Sequence, residues 1–364
     1  MIKVSQDIAQ IKPYLPGKPV SELERELGIS NSIKLASNEN PLGPSKKALR
    51  ALRATLKEIG RYPDGAGFSL KKALSDHYKV ERSQIILGNG SNEIIELLIR
   101  TFVMPGDEVV MANPTFSVYR LIVQAGHGKF VEVPLINGVH DLAGMAKAVT
   151  KKTKLIFVCN PNNPTGTIVR RKEVDVFLSQ IPKGVLVVFD EAYAEYVSDS
   201  NYPDSFALLK TGAPLIVLRT FSKIYGLAGL RIGYGISHPE IISFLNRVRQ
   251  PFNSSLPGQE GALAALSDEV HFQASRAVNQ KGKTYLCRRF GAMGISYFPS
   301  EANFIYFYLG DAPASRGAEI QNALLKQGVI IRHLGGAFLR VTIGRPRENQ
   351  RFIKALKTVI STLK

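Results

Sequence analysis

The chain is predicted to be an α/β protein, with a large domain built on a mostly parallel, helix-covered sheet and a smaller α+β domain after it. Three observations predict this. Short apolar runs alternate with helical patterns through the first 250 residues, the pattern changes beyond that point, and 364 residues exceed what one small core organises.

Residues 1–30 carry Pro13, Pro16 and Pro19 and little periodicity, which predicts an arm that packs on this or a neighbouring subunit. Over 31–250, strand-like runs fall at 84–87, 108–111, 130–134, 154–159, 185–189 and 214–218, most of them ending in polar or Gly/Pro-rich turns. One interposed helix is plain: Ser91-Asn92-Glu93 opens it, and Ile94, Ile95, Leu97, Leu98 and Phe102 follow at helical spacing. Beyond 250, a Pro/Ser/Gly segment at 251–258 leads to a long helical stretch. Alternating strands at 302–309, 329–333 and 338–343 then complete a small domain over 251–364. No internal repeat or low-complexity linker divides the chain.

Hydrophobic residues at 45% and charged residues at 21% match ordinary globular composition and exclude a disordered chain. Cys159 and Cys287 lack CxxC spacing, which argues against a metal knuckle or disulfide framework and for a reducing, cytoplasmic setting. The N-terminal residues lack an apolar signal core, and no stretch approaches the roughly 20 apolar residues of a membrane helix, so neither export nor insertion is expected. The net charge of +17 is spread along the chain with no nucleic-acid-binding motif to organise it; a diffuse positive field of this kind attracts anionic small molecules such as phosphate esters.

In parallel sheets ligands gather at the carboxyl ends of strands, so the polar residues after each run are the candidates for chemistry. At Gly88-Asn89-Gly90-Ser91-Asn92 the glycines allow a sharp turn and the helix that follows offers free N–H groups to an anion, although such turns also occur with no ligand. At Asn160-Pro161-Asn162-Asn163-Pro164-Thr165-Gly166 the prolines and glycine fix a loop from which asparagine side chains can reach a ligand oxygen; a structural turn explains it equally. The run at 185–189 delivers Asp190 and Glu191 with Tyr193 close behind, and a carboxylate there is either a cap or a charge partner.

The last place is Thr220-Phe221-Ser222-Lys223, with Arg231 following among small and apolar residues. Desolvation and a nearby cation lower an ammonium pKa and yield the neutral amine that condenses with an aldehyde; a lone lysine is otherwise a snorkelling surface residue. An anion cradle, a carboxylate able to keep a pyridine nitrogen protonated, and an imine-forming lysine beside an arginine together make the kit that pyridoxal 5'-phosphate requires.

Asn163-Pro164-Thr165-Gly166, Asp190-x-x-Tyr193 and Ser222-Lys223-x-x-Gly226-x-x-Gly229-x-Arg231 resemble, in order, the motifs of the fold-type I aminotransferases, and the resemblance runs over nearly the whole chain. Within that family the chain is similar to the histidinol-phosphate aminotransferases at 34–41 (Lys-Leu-Ala-Ser-Asn-Glu-Asn-Pro), at Arg61-Tyr62-Pro63-Asp64, at Asn113-Pro114-Thr115-Phe116 and at 339–344 (Leu-Arg-Val-Thr-Ile-Gly).

The resemblance implies a fold-type I pyridoxal-phosphate-dependent transferase fold and a homodimer. It implies Lys223 as the imine-forming lysine, Asp190 on the pyridine nitrogen, Asn163 and Tyr193 on the ring hydroxyl, and Phe116 stacked on the ring. For the cofactor phosphate it points to Ser91, Asn92, Ser222 and Arg231, with Tyr62 reaching across from the partner subunit. For substrate it points to Arg340 and Arg332, with Tyr14 and Asn38 nearby. A planar guanidinium suits either the carboxylate of glutamate or the phosphate of histidinol phosphate.

The implied activity is ping-pong amino transfer between L-glutamate/2-oxoglutarate and histidinol phosphate/imidazole-acetol phosphate, as in histidine biosynthesis. Its rivals are an aromatic or other amino-acid aminotransferase, a phosphorylated-amino-acid decarboxylase of the same fold, and a non-catalytic basic regulator retaining the fold.

Overall fold

Seven strands form the main sheet. They lie across it in the order Ile85–Gly88, Gly233–Ser237, Leu215–Thr220, Leu186–Asp190, Thr153–Cys159, Glu108–Asn113 and Lys129–Pro134. All run parallel except Gly233–Ser237, which is antiparallel to both its neighbours. The computed structural model describes residues 2–309, 313 and 315–363.

The central strands are apolar at successive positions because both sheet faces are covered. Leu155, Phe157, Leu186 and Val188 face a core completed by the helix Ser91–Phe102 and by Ile242 and Leu245. Their neighbours Ile156, Val158, Val187 and Phe189 face a second core with Leu142, Met145, Val174 and Phe177. At roughly 1.5–3 kcal/mol for each large apolar side chain buried, this double layer is the main source of stability.

One strand of the main sheet was not anticipated from sequence, nor were the two-residue strands Ile33–Lys34 and Ser296–Tyr297 outside it. Gly233–Ser237 contains two glycines, which weaken a strand pattern, yet both are demanded by packing. A Cβ on Gly233 would lie 2.6 Å from the backbone nitrogen of Ser91, and one on Gly235 would press on Ile86, Ile216 and Leu218. The strand therefore brings the main chain close to the start of the helix at Ser91.

The smaller sheet has the order Arg332–His333, Phe338–Thr342, Phe304–Tyr308, Ser296–Tyr297, all antiparallel, over a core that includes Leu286, Phe290, Ile320 and Phe352. The run at 329–333, expected as one strand, is two. Val329–Ile330 pairs in parallel with Ile33–Lys34, and Arg332–His333 turns to pair with Phe338–Thr342. The chain changes partners at Ile331 because the segment at 33–35 takes up the hydrogen bonds of Gly328 and Ile330.

The helix Leu256–Leu266 buries Ala262 and Ala265 against Leu70, Leu74 and Leu87, beside the main sheet. Near the N-terminus the short helix Gln6–Ala9 docks through Asp7 on Gln124 and His127. The helix Val20–Leu27 buries Leu23 against Ala36 and Ile330. No described helix is long and apolar enough to cross a membrane.

Candidate active site

The six parallel strands end at one edge of the sheet, and three of those ends, Cys159, Asp190 and Thr220, line a cavity of about 260 Å³. Ser91, Asn92, Phe116, Asn163, Asp190, Tyr193, Ser222, Lys223 and Arg231 all line it, although they come from positions up to 140 residues apart (231 − 91). Asn38, Tyr14 and Arg340 complete the wall.

At one end of the cavity, the helix Ser91–Phe102 begins after Gly90 with no side-chain cap, leaving its first N–H groups free for an anion. Gly90 adopts φ 75°, and a Cβ there would run into the Arg231 guanidinium. Arg231 NH1 donates to Ser222 Oγ at 3.2 Å, so a hydroxyl, a guanidinium and a helix start converge.

Asp190 ends its strand and is buried. Its Oδ2 accepts from the Tyr119 hydroxyl at 2.6 Å, and its Oδ1 accepts from Ala192 N–H at 3.2 Å. Burial raises its pKa, while these hydrogen bonds act the other way. Glu191, the next residue, turns to the opposite side and pairs with Arg219 at 2.6 Å; of the two adjacent acids only Asp190 reaches the cavity. The strand's alternation makes that choice.

Lys223 follows the strand Leu215–Thr220. Its Nζ donates to the Ser37 carbonyl at 3.3 Å and lies 5.6 Å from the Tyr193 ring centre. Desolvation, with Arg340 and Arg231 nearby, lowers its pKa to about 8. Tyr193 accepts from Asn38 Nδ2 at 2.9 Å and from Asn163 Nδ2 at 3.5 Å, so its own hydroxyl proton is free to donate; burial holds that hydroxyl well above its ordinary pKa.

Arg340 is buried on the strand Phe338–Thr342. NH1 donates to Asn163 Oδ1 at 2.5 Å and NH2 to the Ala36 carbonyl at 2.8 Å, whereas Nε has no partner among the described residues. Burial lowers its pKa, and Arg332 directly opposite on the neighbouring strand adds repulsion. Like charges facing across a sheet destabilise unless an anion joins them. Arg332 does not reach the inner cavity. It lines an adjoining cleft of about 650 Å³ that shares Tyr14, Phe116, Asn163 and Arg340, and its guanidinium lies 5.4 Å from the Tyr14 ring centre.

Tyr62, like Arg332, does not line the inner cavity. It is 81% exposed and stacks on Phe252 at 4.6 Å. Two residues of the site were not foreseen. Tyr119 lies in the helix Val118–Ala125, outside every motif read from the sequence, and only the tertiary structure aims its hydroxyl at Asp190. Glu39 lines the cavity from within the segment 34–41, where sequence drew attention to Asn38 alone.

Buried acid, low-pKa amine and anion cradle thus surround one space, fit to hold a flat ring by its charged ends with a nucleophilic amine at its side. Residues 30–356 match the family described as aminotransferase class I and II. The histidinol-phosphate aminotransferase of Moorella thermoacetica is 51% identical over 364 residues, covering 99% of this chain and 93% of that protein. Histidinol-phosphate aminotransferase 1 of Nitrosococcus oceani is 48% identical, covering 96% and 95%. Among solved structures, histidinol-phosphate aminotransferase from Sinorhizobium meliloti in complex with pyridoxal-5'-phosphate superposes with a TM-score of 0.93 at 28% identity, covering 100% of this chain and 99% of that one.

Proposed function

This chain belongs to the class I and II aminotransferase family, and from that premise we propose that it is a pyridoxal-phosphate-dependent histidinol-phosphate aminotransferase. It moves the amino group of L-glutamate to imidazole-acetol phosphate, giving 2-oxoglutarate and histidinol phosphate, and runs equally in reverse. The observation that carries this reading is the convergence of Lys223, Asp190, Arg231 and Arg340 on one cavity, in a chain that matches such enzymes from end to end.

The residues fit the cofactor. Ser91, Asn92, Ser222 and Arg231 would hold its phosphate in the cradle that a Cβ on Gly90 would fill. Asp190 would face its ring nitrogen, Asn163 and Tyr193 its ring hydroxyl, and Phe116 its face. When bound, pyridoxal phosphate supplies an aldehyde that takes up the amino group and a protonated ring that accepts electron density from the substrate carbon.

The protein's own part is binding, orientation and proton transfer. Lys223 is the covalent anchor, and its Nζ moves the proton at the substrate carbon, a role suited to an amine whose pKa of about 8 lies near the working pH. Asp190, whose charged form the hydrogen bonds from Tyr119 and Ala192 N–H favour against the effect of burial, would hold the proton on the ring nitrogen. Arg340, with Arg332 beside it, grips the carboxylate of one substrate and the phosphate of the other; Tyr14 and Asn38 flank them.

We place Tyr62 in a homodimer, reaching the partner subunit's cofactor phosphate. Its exposure and its stacking on Phe252, away from its own cavity, support that role. The unpaired thiols of Cys159 and Cys287 support a reducing, cytoplasmic setting.

The test compares histidinol phosphate, phenylalanine and threonine phosphate as substrates of the cofactor-loaded protein, with 2-oxoglutarate as acceptor and carbon dioxide release monitored. Histidinol phosphate is expected to give the largest kcat/KM. A preference for phenylalanine, or decarboxylation of threonine phosphate, would replace this reading.

A further inference from the structure

The cavity holding Lys223 and Asp190 contains one more carboxylate, and the roles assigned so far leave it unused. Glu39 lines the same wall as Asn38, Lys223 and Arg340. Consecutive side chains of an extended strand point to opposite faces, so Ser37, Asn38 and Glu39 cannot all reach one cavity from regular β structure. Asn38 breaks the alternation with φ 56°, in the left-handed region. That conformation is held by Asn38 N–H donating to Thr342 Oγ1 at 2.9 Å and by Asn303 Nδ2 donating to the Asn38 carbonyl at 3.0 Å. The backbone is bent here, and the result is to bring Glu39 to the site.

One oxygen of Glu39 is taken. Oε1 accepts from Lys34 Nζ at 2.9 Å, and Oε2 accepts no hydrogen bond from the described residues. The side chain is 45% exposed, so it stands at the cavity mouth rather than in its floor. Burial and neighbouring cations lower the Lys223 pKa, and the charges of Glu39 and Asp190, which line the same cavity, act in the opposite direction. With Arg231 assigned to the cofactor phosphate and Arg340 and Arg332 to the substrate anion, the free lone pairs of Glu39 are matched to a donor on the substrate.

We propose that Glu39 is a specificity-determining residue, its Oε2 accepting a hydrogen bond from the ring N–H of the imidazole substrate. The proposal rests on the assignment of histidinol phosphate as substrate. An imidazole has an N–H to give; a phenyl ring and the methyl group of threonine phosphate have none, and each would cover Glu39 Oε2 without replacing the hydrogen bonds that water gives it in the open cavity mouth. Sites built around such a hydrogen bond reject analogues that lack it far more strongly than apolar pockets do. L-Glutamate carries no such donor, so its half of the reaction does not use this contact.

The test measures both half-reactions in wild type, Glu39→Ala and Lys34→Met by the absorbance change of the bound cofactor. Glu39→Ala is expected to lower kcat/KM for histidinol phosphate by roughly tenfold or more, as expected for one hydrogen bond to a charged group. Its glutamate half-reaction should fall by at least about tenfold less. Lys34→Met keeps the carboxylate and should keep the preference for histidinol phosphate over phenylalanine. Equal losses in both halves, no loss in either, or a Lys34→Met variant that copies Glu39→Ala would overturn the proposal. Wild-type protein that does not turn over histidinol phosphate would instead defeat the substrate assignment on which it rests.

Discussion

The phenolic oxygen of Tyr119 lies 2.6 Å from Oδ2 of Asp190, with both side chains sealed from solvent. The ring that carries this hydroxyl stacks on Phe157 at 4.5 Å and meets Phe116 edge-on at 5.4 Å, so the donor has little freedom to turn away. Replacing Tyr119 with Phe keeps that packing and removes one hydrogen bond to a buried carboxylate. The Asp190 pKa then rises further, its charged form is less favoured, and the dissociation constant for pyridoxal phosphate is expected to increase roughly tenfold or more. Titrating the cofactor into apo-protein by absorbance checks this; an unchanged constant would remove Tyr119 from the site.

Lys223 should show its lowered pKa before any substrate is present. Desolvation moves the amine from an ordinary value of 10.5 to about 8, so the neutral, nucleophilic form becomes dominant above pH 8 rather than above 10.5. The rate at which apo-protein captures pyridoxal phosphate covalently is therefore expected to rise with pH through about 8 and then level off. A midpoint near 10 would contradict the burial. Lys223→Ala should capture nothing and lose turnover by orders of magnitude while remaining folded by circular dichroism.

Arg340→Lys tests the substrate grip. The guanidinium reaches Asn163 Oδ1 and the Ala36 carbonyl at once, a fork that a single ammonium cannot reproduce while also facing a ligand. KM for both glutamate and histidinol phosphate should rise by roughly tenfold or more, with a smaller fall in kcat. Steady-state kinetics decide it, and a variant with wild-type KM for both would move the anion site elsewhere.

The cross-subunit role of Tyr62 has a complementation test. Lys223→Ala and Tyr62→Ala should each be impaired alone. Mixed after unfolding and refolding together, they should form hybrids in which one site has both an intact Lys223 and a partner's intact Tyr62, so activity is expected to recover. No recovery in hybrids verified by native mass spectrometry would place Tyr62 outside the partner's site.

Much of this architecture was readable from local pattern. The apolar runs at 108–111, 154–159 and 185–189 are buried on both faces, so hydrophobicity alone marks them, and the carboxyl-end rule then points to Asn163, Asp190 and Lys223. The strand Gly233–Ser237 escaped because its glycines answer to the approach of Ser91, a neighbour more than 140 positions earlier (233 − 91 = 142). The division of 329–333 into two strands escaped because it depends on hydrogen bonds offered by 33–35.

By itself, the sequence determined the layered α/β plan and the chemical kit, since periodicity, turn residues and the order of motifs are properties of neighbouring positions. Only the tertiary structure decided which of Asp190 and Glu191 enters the cavity, that Tyr119 serves Asp190, that Arg332 stands against Arg340, and that a left-handed Asn38 swings Glu39 inward. The physical reason is range. Hydrogen bonds and charge pairs act over a few ångströms, and chain folding alone sets which distant residues come that close.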